Sequence, residues 1–95
     1  MLSASQIQTI IDVMKPYHPK KIGIFGSMAR NEETPNSDID ILYQFHEPIS
    51  LFEKADIKAI LERKLNREVD LVSEKFMNAI FRSHITTDIK IIYGG

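Results

Sequence analysis

The sequence predicts a small α/β or α+β domain in which helices pack against one sheet. Segments with apolar residues at helical spacing alternate with short runs rich in β-branched and aromatic residues. No internal repeat, low-complexity tract or linker interrupts this alternation. A length of 95 residues suffices for one domain, so we expect residues 1–95 to form a single unit.

The first predicted helix begins near residue 5 and ends before residue 20. Ser5 is predicted as its N-cap, and Pro16 and Pro19 close it, because proline lacks the N–H group that a helix interior requires. Its apolar stripe consists of Ile7, Ile10, Ile11 and Met14.

Two predicted strands follow, at residues 21–25 and 38–45, where β-rich runs are bounded by turn signals. Gly26 turns the chain after the first strand, and a polar loop covers residues 31–37.

A second helix is predicted from residue 51 to about residue 65. Ser50 can cap it, and Glu53 three residues later completes a capping box. We expect its apolar face to be formed by Leu51, Phe52, Ala55, Ala59 and Leu65, broadened by Ile57, Ile60 and Leu61.

The remaining residues predict a third strand at 68–72 and a third helix from residue 73 or 74 to about 81. A last β-rich run, residues 89–93, is predicted as an edge strand.

Composition and charge exclude several classes of protein. Without cysteine, the chain has no disulfide, thiolate nucleophile or zinc-thiolate site. The net charge is −1, whereas proteins that grip long nucleic acid usually carry a basic excess. No apolar stretch approaches the ~18–20 residues of a membrane span, and the N-terminus lacks the features of a signal peptide. We therefore expect a cytoplasmic protein without stable binding to membranes or long nucleic acid.

Asp38 and Asp40 are the first candidate site residues, because residues i and i+2 of a strand point to the same face. Their backbones would lie about 6.6 Å apart at ~3.3 Å per residue, which suits two carboxylates that share divalent metal ions. Ile39, Ile41 and Tyr43 alternate with them and are expected to pack in the core. Aspartate is disfavoured within strands, so two on one face of an apolar strand need a reason. The alternative is an edge strand with a polar outer face.

Gly26 and Ser27 are candidates for binding phosphate. Glycine allows close backbone approach at the strand end, and the free N–H groups of a helical turn that begins at Ser27 would bind an anion. An ordinary strand-to-helix turn is the alternative. One turn beyond Ser27, Arg30 can contact a phosphate or form a surface ion pair with Glu32 or Glu33.

Asp70 lies on the third predicted strand and becomes a candidate if that strand adjoins the second. It could then complete a two-metal site or accept the proton of an attacking hydroxyl. The alternative is a solvated strand residue.

The glycine-serine turn, the Asp-x-Asp pair and the later Asp70 together resemble the signature of the DNA polymerase beta-type nucleotidyltransferases. The chain length and the run Gly-Ser-Met-Ala-Arg resemble the minimal nucleotidyltransferase (MNT) proteins, in which the catalytic core stands nearly alone. One departure is visible, since Asn31 stands where many relatives have glycine.

The resemblance implies a small mixed sheet backed by helices and a defined set of site residues. Gly26 and Ser27 would hold the triphosphate of ATP, and Asp38 and Asp40 would bind two Mg²⁺ ions. Asp70 would bind the metal nearer the attacking group and help to activate that group. The reaction would move AMP from ATP to a hydroxyl and release pyrophosphate.

The resemblance also implies a partner. Family members are often encoded with a HEPN-domain toxin, a ribonuclease, and act as its antitoxin, in known cases by adenylylating a tyrosine of the toxin. We therefore expect a hetero-oligomer with a HEPN toxin.

Three other functions stay open or are disfavoured. A non-catalytic antitoxin would neutralise its partner by covering it, through exposed parts of the second helix or of residues 85–93. An enzyme that modifies a small molecule such as an aminoglycoside generally needs an extra domain to hold the acceptor. A template-dependent polymerase would need a basic track that the sequence lacks.

Overall fold

The computed structural model describes residues 2–26, 38–74 and 89–94. In chain order its elements are α1 (Ala4–Met14), a 3₁₀ turn (Lys15–Tyr17), β1 (Pro19–Phe25), β2 (Ile39–Phe45), α2 (Leu51–Leu65), β3 (Val69–Ser73) and β4 (Lys90–Gly94). The four strands form one sheet in the order β3-β2-β1-β4. β1 is antiparallel to β2 and β4, whereas β2 and β3 are parallel. The predicted mixed sheet backed by helices is therefore confirmed.

Helix α1 begins two residues earlier than the sequence analysis predicts, so the assignment of Ser5 as N-cap was wrong. Ser3 is the cap: its Oγ accepts a hydrogen bond from the Gln6 N–H at 3.1 Å, and the Gln6 Oε1 accepts one from the Ser3 N–H at 2.9 Å. The earlier start places Leu2 before the cap and Ile7 after the first turn, and both join the core. An apolar pair at these two positions, a hydrophobic staple, stabilises the start of a helix. If Ser5 were the cap, Ala4 would take the place of Leu2 and could not form this contact.

Strand β1 begins at Pro19, two residues before the predicted start. Pro19 pairs with Phe45 at the end of β2, and proline is tolerated as the first residue of a strand. His18, with a φ of 60°, ends the 3₁₀ turn and directs the chain into β1.

The predicted capping box of α2 is confirmed, but only part of the apolar face predicted for this helix is buried. Ser50 and Glu53 bond each other's backbone N–H groups at 3.1 and 2.9 Å. Leu51 and Phe52 are 83% and 85% exposed, and the two alanines are exposed as well. The buried residues are Ile57, Leu61 and Leu65, which recur every four positions and therefore lie on one side of the helix.

The two faces of the sheet have different roles. Ile39, Ile41 and Tyr43 of β2 face the core beneath α1 and α2, as predicted. Alternate residues point to the opposite face, where Phe25 and Leu42 form a second, smaller cluster. Asp40 belongs to this second face, because it lies between two core residues of β2.

The last two strands lie at the edges of the sheet formed by the described residues. β3 and β4 are each shifted by one residue from the predicted ranges 68–72 and 89–93, and β4 lies at an edge as predicted. The predicted third helix falls almost entirely outside the described residues. Neither described helix has the length and apolar character to cross a membrane.

Candidate active site

Asp40 and Asp70 are direct neighbours across the parallel pair β2 and β3. Their Cα atoms are register partners, and neighbouring strands lie about 4.8 Å apart. Both side chains belong to the sheet face that points away from α1 and α2. The condition set by the sequence analysis, that the third strand must adjoin the second, is therefore met.

Burial of the intervening residues fixes this arrangement. Ile39 and Ile41 flank Asp40 and are fully buried, while Val69 and Leu71 flank Asp70 and are 2% and 5% exposed. A slip of one residue in either strand would bring these apolar side chains out of the core and turn an aspartate into it. Burial of these apolar residues thus keeps both carboxylates on the same face of the sheet, the one that points away from the core.

Asp38 precedes the first residue of β2 and is exposed, so the predicted strand start at residue 38 was one residue too early. No group of three acidic or histidine side chains among the described residues is close enough to hold one metal ion. The register brings Asp40 and Asp70 together, and Asp38 stands two residues from Asp40 at the strand entrance.

Gly26 lies directly against the carboxylate of Asp40. It follows β1 with a φ of 73°, and a Cβ atom built on it would lie 2.2 Å from the Asp40 Oδ2. A side chain at this position would require the Asp40 carboxylate to move, and the positive φ is costly for any residue with a Cβ. Glycine at this position therefore allows the backbone to pass beside the acidic pair. Ser27, Arg30 and Asn31 lie outside the described residues, so their predicted roles stay predictions.

Tyr43 is a packing residue, as the sequence analysis expects. Its ring lies 5.0 Å from that of Phe45, and Tyr17 contacts Phe45 from the other side at 6.3 Å. Burial raises the pKa of the Tyr43 phenol, and a hydrogen bond with Ser73 opposes this only in part. The phenol is therefore neutral at pH 7.

Glu62 was missed by the sequence analysis. Its Oε2 accepts a hydrogen bond from the backbone N–H of Val69 at 3.0 Å and an ion pair from the Lys58 Nζ at 3.2 Å. The bond from Val69 is the main reason why the pKa of Glu62 falls below its usual range, and Lys58 adds to the effect. The i,i+4 pair was readable from the sequence, but the contact with Val69 depends on how β3 meets α2.

Comparisons with known families and relatives show which family of proteins this chain belongs to. A family model described as polymerase beta, nucleotidyltransferase, matches residues 8–95. A protein of Methanocaldococcus jannaschii, whose name proposes a protein adenylyltransferase, is 37% identical over 95% of this chain and 94% of its own length. Protein adenylyltransferase MntA of Thermococcus cleftensis is 33% identical over 83% of this chain and 85% of its own length.

Solved structures that superimpose on this chain include toxin–antitoxin complexes. A crystal structure of a toxin–antitoxin with AMP-PNP superimposes with a TM-score of 0.82 at 25% identity, covering 94% of this chain and 73% of that chain. A tri-AMPylated HEPN toxin of Shewanella oneidensis in complex with an MNT antitoxin gives a TM-score of 0.77. That match covers 96% of this chain and 71% of the other at 20% identity, and at this identity it shows the fold alone.

Proposed function

Because this chain belongs to the polymerase beta-type nucleotidyltransferase family, we propose that it transfers AMP from ATP to a tyrosine hydroxyl of a HEPN-type toxin and so acts as an antitoxin. The observation that carries the proposal is the pairing of Asp40 with Asp70, with Gly26 against the Asp40 carboxylate. The adenylyltransferase name of the Thermococcus cleftensis relative supports the chemistry. The toxin–antitoxin complexes among its structural neighbours support a hetero-oligomer with the toxin.

The residues fit Mg²⁺, which favours one or two carboxylates completed by substrate phosphates and water. Asp40 and Asp70 supply hard oxygen ligands side by side. We propose Asp38, which is exposed and directly precedes β2, as a third ligand that would join them when the metal is bound. Two bound ions would supply neutralisation of the charge on the triphosphate. Gly26 keeps the backbone beside the Asp40 carboxylate free of a side chain.

The reaction transfers one proton, forms one bond to the α-phosphorus of ATP and breaks another. The acceptor oxygen forms a bond to the α-phosphorus of ATP, the bond from that phosphorus to the β-phosphate oxygen breaks, and pyrophosphate leaves. We assign Asp70 to the acceptor side, where its carboxylate can take the proton of the attacking hydroxyl. Ser27 and Arg30 are proposed to bind the departing phosphates.

The cytoplasm is the proposed location of the protein, because ATP is available there.

Label transfer tests the proposal. The purified protein is incubated with Mg²⁺ and its cognate toxin, or with lysate of the source cell, using ATP labelled at either the α- or the γ-phosphate. A protein band labelled only from the α-phosphate identifies nucleotidyl transfer and gives the size of the acceptor. A band labelled only from the γ-phosphate would indicate a kinase reaction and refute the proposal.

Neutralisation by binding alone is the second candidate function, and the exposed start of α2 favours it. Leu51 and Phe52 are more than four-fifths exposed. The segment that leads into α2 contributes Pro48 and Ile49 to the lining of a cavity of about 430 Å³. Large exposed apolar groups of this kind mark binding surfaces. This surface lies at the opposite end of β2 from Asp40, so the two functions use different residues.

Replacing Leu51 and Phe52 together by serine is expected to weaken binding to the toxin about 10-fold or more, the usual scale for aromatic anchors of an interface. The fold should be unaffected, because neither side chain is buried. Calorimetric titration with the toxin measures the change, and Arg63→Ser with Lys64→Ser at the other end of α2 is the matched control. Unchanged affinity in the Leu51/Phe52 variant would exclude this surface as the interface.

A further inference from the structure

We propose that Glu62 is a positioning residue for the reaction, because it fixes the start of β3 and thereby holds Asp70 beside Asp40. The role of Glu62 in catalysis rests on the proposed function, but its hydrogen bond with Val69 can be measured without any transfer activity. Glu62 lies on α2, outside the acidic pair, and it touches neither carboxylate in the described structure.

The backbone geometry makes Val69 dependent on Glu62. The Ile39 N–H donates to the Glu68 carbonyl at 2.9 Å, and Val69 is the register partner of Ile39. In a parallel ladder this turns the N–H of Val69 away from β2, towards the open edge of the sheet. No strand among the described residues lies on that side of β3. The Glu62 carboxylate takes the place of a strand by accepting the Val69 N–H at 3.0 Å.

Glu62 also controls the turn between α2 and β3. Its carbonyl accepts the N–H of Asn66 at 2.9 Å, and Asn66 ends the helix with a φ of 56°. The carbonyl and the carboxylate of one residue therefore hold both ends of the three-residue connection from Leu65 to Val69. Lys58 pairs with the same carboxylate at 3.2 Å and helps to orient it.

The consequence for the site follows from the shortness of this connection. Asp70 is the residue after Val69, so a shift at Val69 moves the Asp70 carboxylate relative to Asp40. Within the described ranges, β3 has hydrogen bonds to a neighbouring strand on one side only, and edge strands fray and slip more readily than central ones. Misplacement by about 1 Å can cost on the order of 100-fold in rate. We therefore expect Glu62 to affect catalysis far more than its position outside the acidic pair suggests.

Three variants distinguish the hydrogen bond between Val69 and Glu62 from the charge of Glu62 and from its ion pair with Lys58. Glu62→Ala removes the acceptor for Val69, Glu62→Gln keeps an oxygen acceptor without the charge, and Lys58→Met removes only the ion pair. Amide exchange of Val69 should accelerate about 10-fold in the alanine variant, and by less than about 3-fold in the other two, because only the alanine variant loses the acceptor for the Val69 N–H. Unchanged exchange in Glu62→Ala would overturn the proposal at its first step.

Metal binding gives a second readout that does not depend on turnover. Mn²⁺ titrated in the presence of AMP-PNP should bind about 5-fold more weakly to Glu62→Ala than to wild type, and the difference should vanish in a background of Asp70→Asn. An equal weakening in both backgrounds would show that Glu62 acts on stability in general and would refute the positioning role.

Kinetics complete the test if wild type transfers AMP. Glu62→Ala should lower kcat about 10- to 100-fold with little change in KM for ATP, and Glu62→Gln should recover most of the loss. Raised KM with unchanged kcat would contradict a role through Asp70. Absence of transfer by wild type would refute the proposed function, while the exchange and Mn²⁺ measurements would still decide whether Glu62 holds Asp70.

Discussion

Replacing Asp40 by asparagine should abolish nucleotidyl transfer while leaving the fold intact. The change removes one negative charge from the acidic pair and keeps the size of the side chain. We expect the rate to fall by on the order of 10³-fold, the scale on which a single preorganised electrostatic group acts. Label transfer from α-labelled ATP measures the loss. Thermal unfolding should change little, because an aspartate within a strand contributes little to β structure.

The matched control is Asp56→Asn on α2, which makes the same chemical change at an exposed position. It should retain the wild-type rate of transfer. A normal rate in Asp40→Asn would refute the assignment of Asp40 as a catalytic residue. A loss of transfer in both variants would show that overall charge, and not the acidic pair, limits the reaction.

Replacing Gly26 by alanine is expected to have the second largest effect. The new Cβ would lie 2.2 Å from the Asp40 Oδ2, so the carboxylate or the turn must move. Such a displacement should lower the rate of transfer on the order of 100-fold. The positive φ of 73° adds about 1–2 kcal/mol of destabilisation, which urea unfolding would measure.

Gly94 provides a control for backbone strain. It also has a positive φ, of 68°, and a Cβ atom there would meet the Lys20 carbonyl at 2.1 Å, far from the carboxylates. Gly94→Ala should therefore destabilise the protein but spare transfer under conditions where it stays folded. If both variants lost transfer in proportion to their stability, the space beside Asp40 would have no special role.

The apolar pattern predicted the strands well because burial on one face imposes a period of two. Ile39, Ile41 and Tyr43 all face the core as expected, and that alternation alone places Asp40 on the other face. Periodicity failed on α2, where apolar residues surround much of the helix. Composition could not decide between Phe52, which is exposed, and Leu61, which is fully buried.

The sequence by itself determined the residue types of the candidate site, the capping box at Ser50 and the family, because these depend on local spacing. Only the tertiary structure decided that Asp70 stands beside Asp40 and that Gly26 abuts the same carboxylate. It also revealed the bond from Val69 to Glu62. These contacts join residues brought together by strand order and register, which arise from packing the whole core and cannot be read from neighbouring residues.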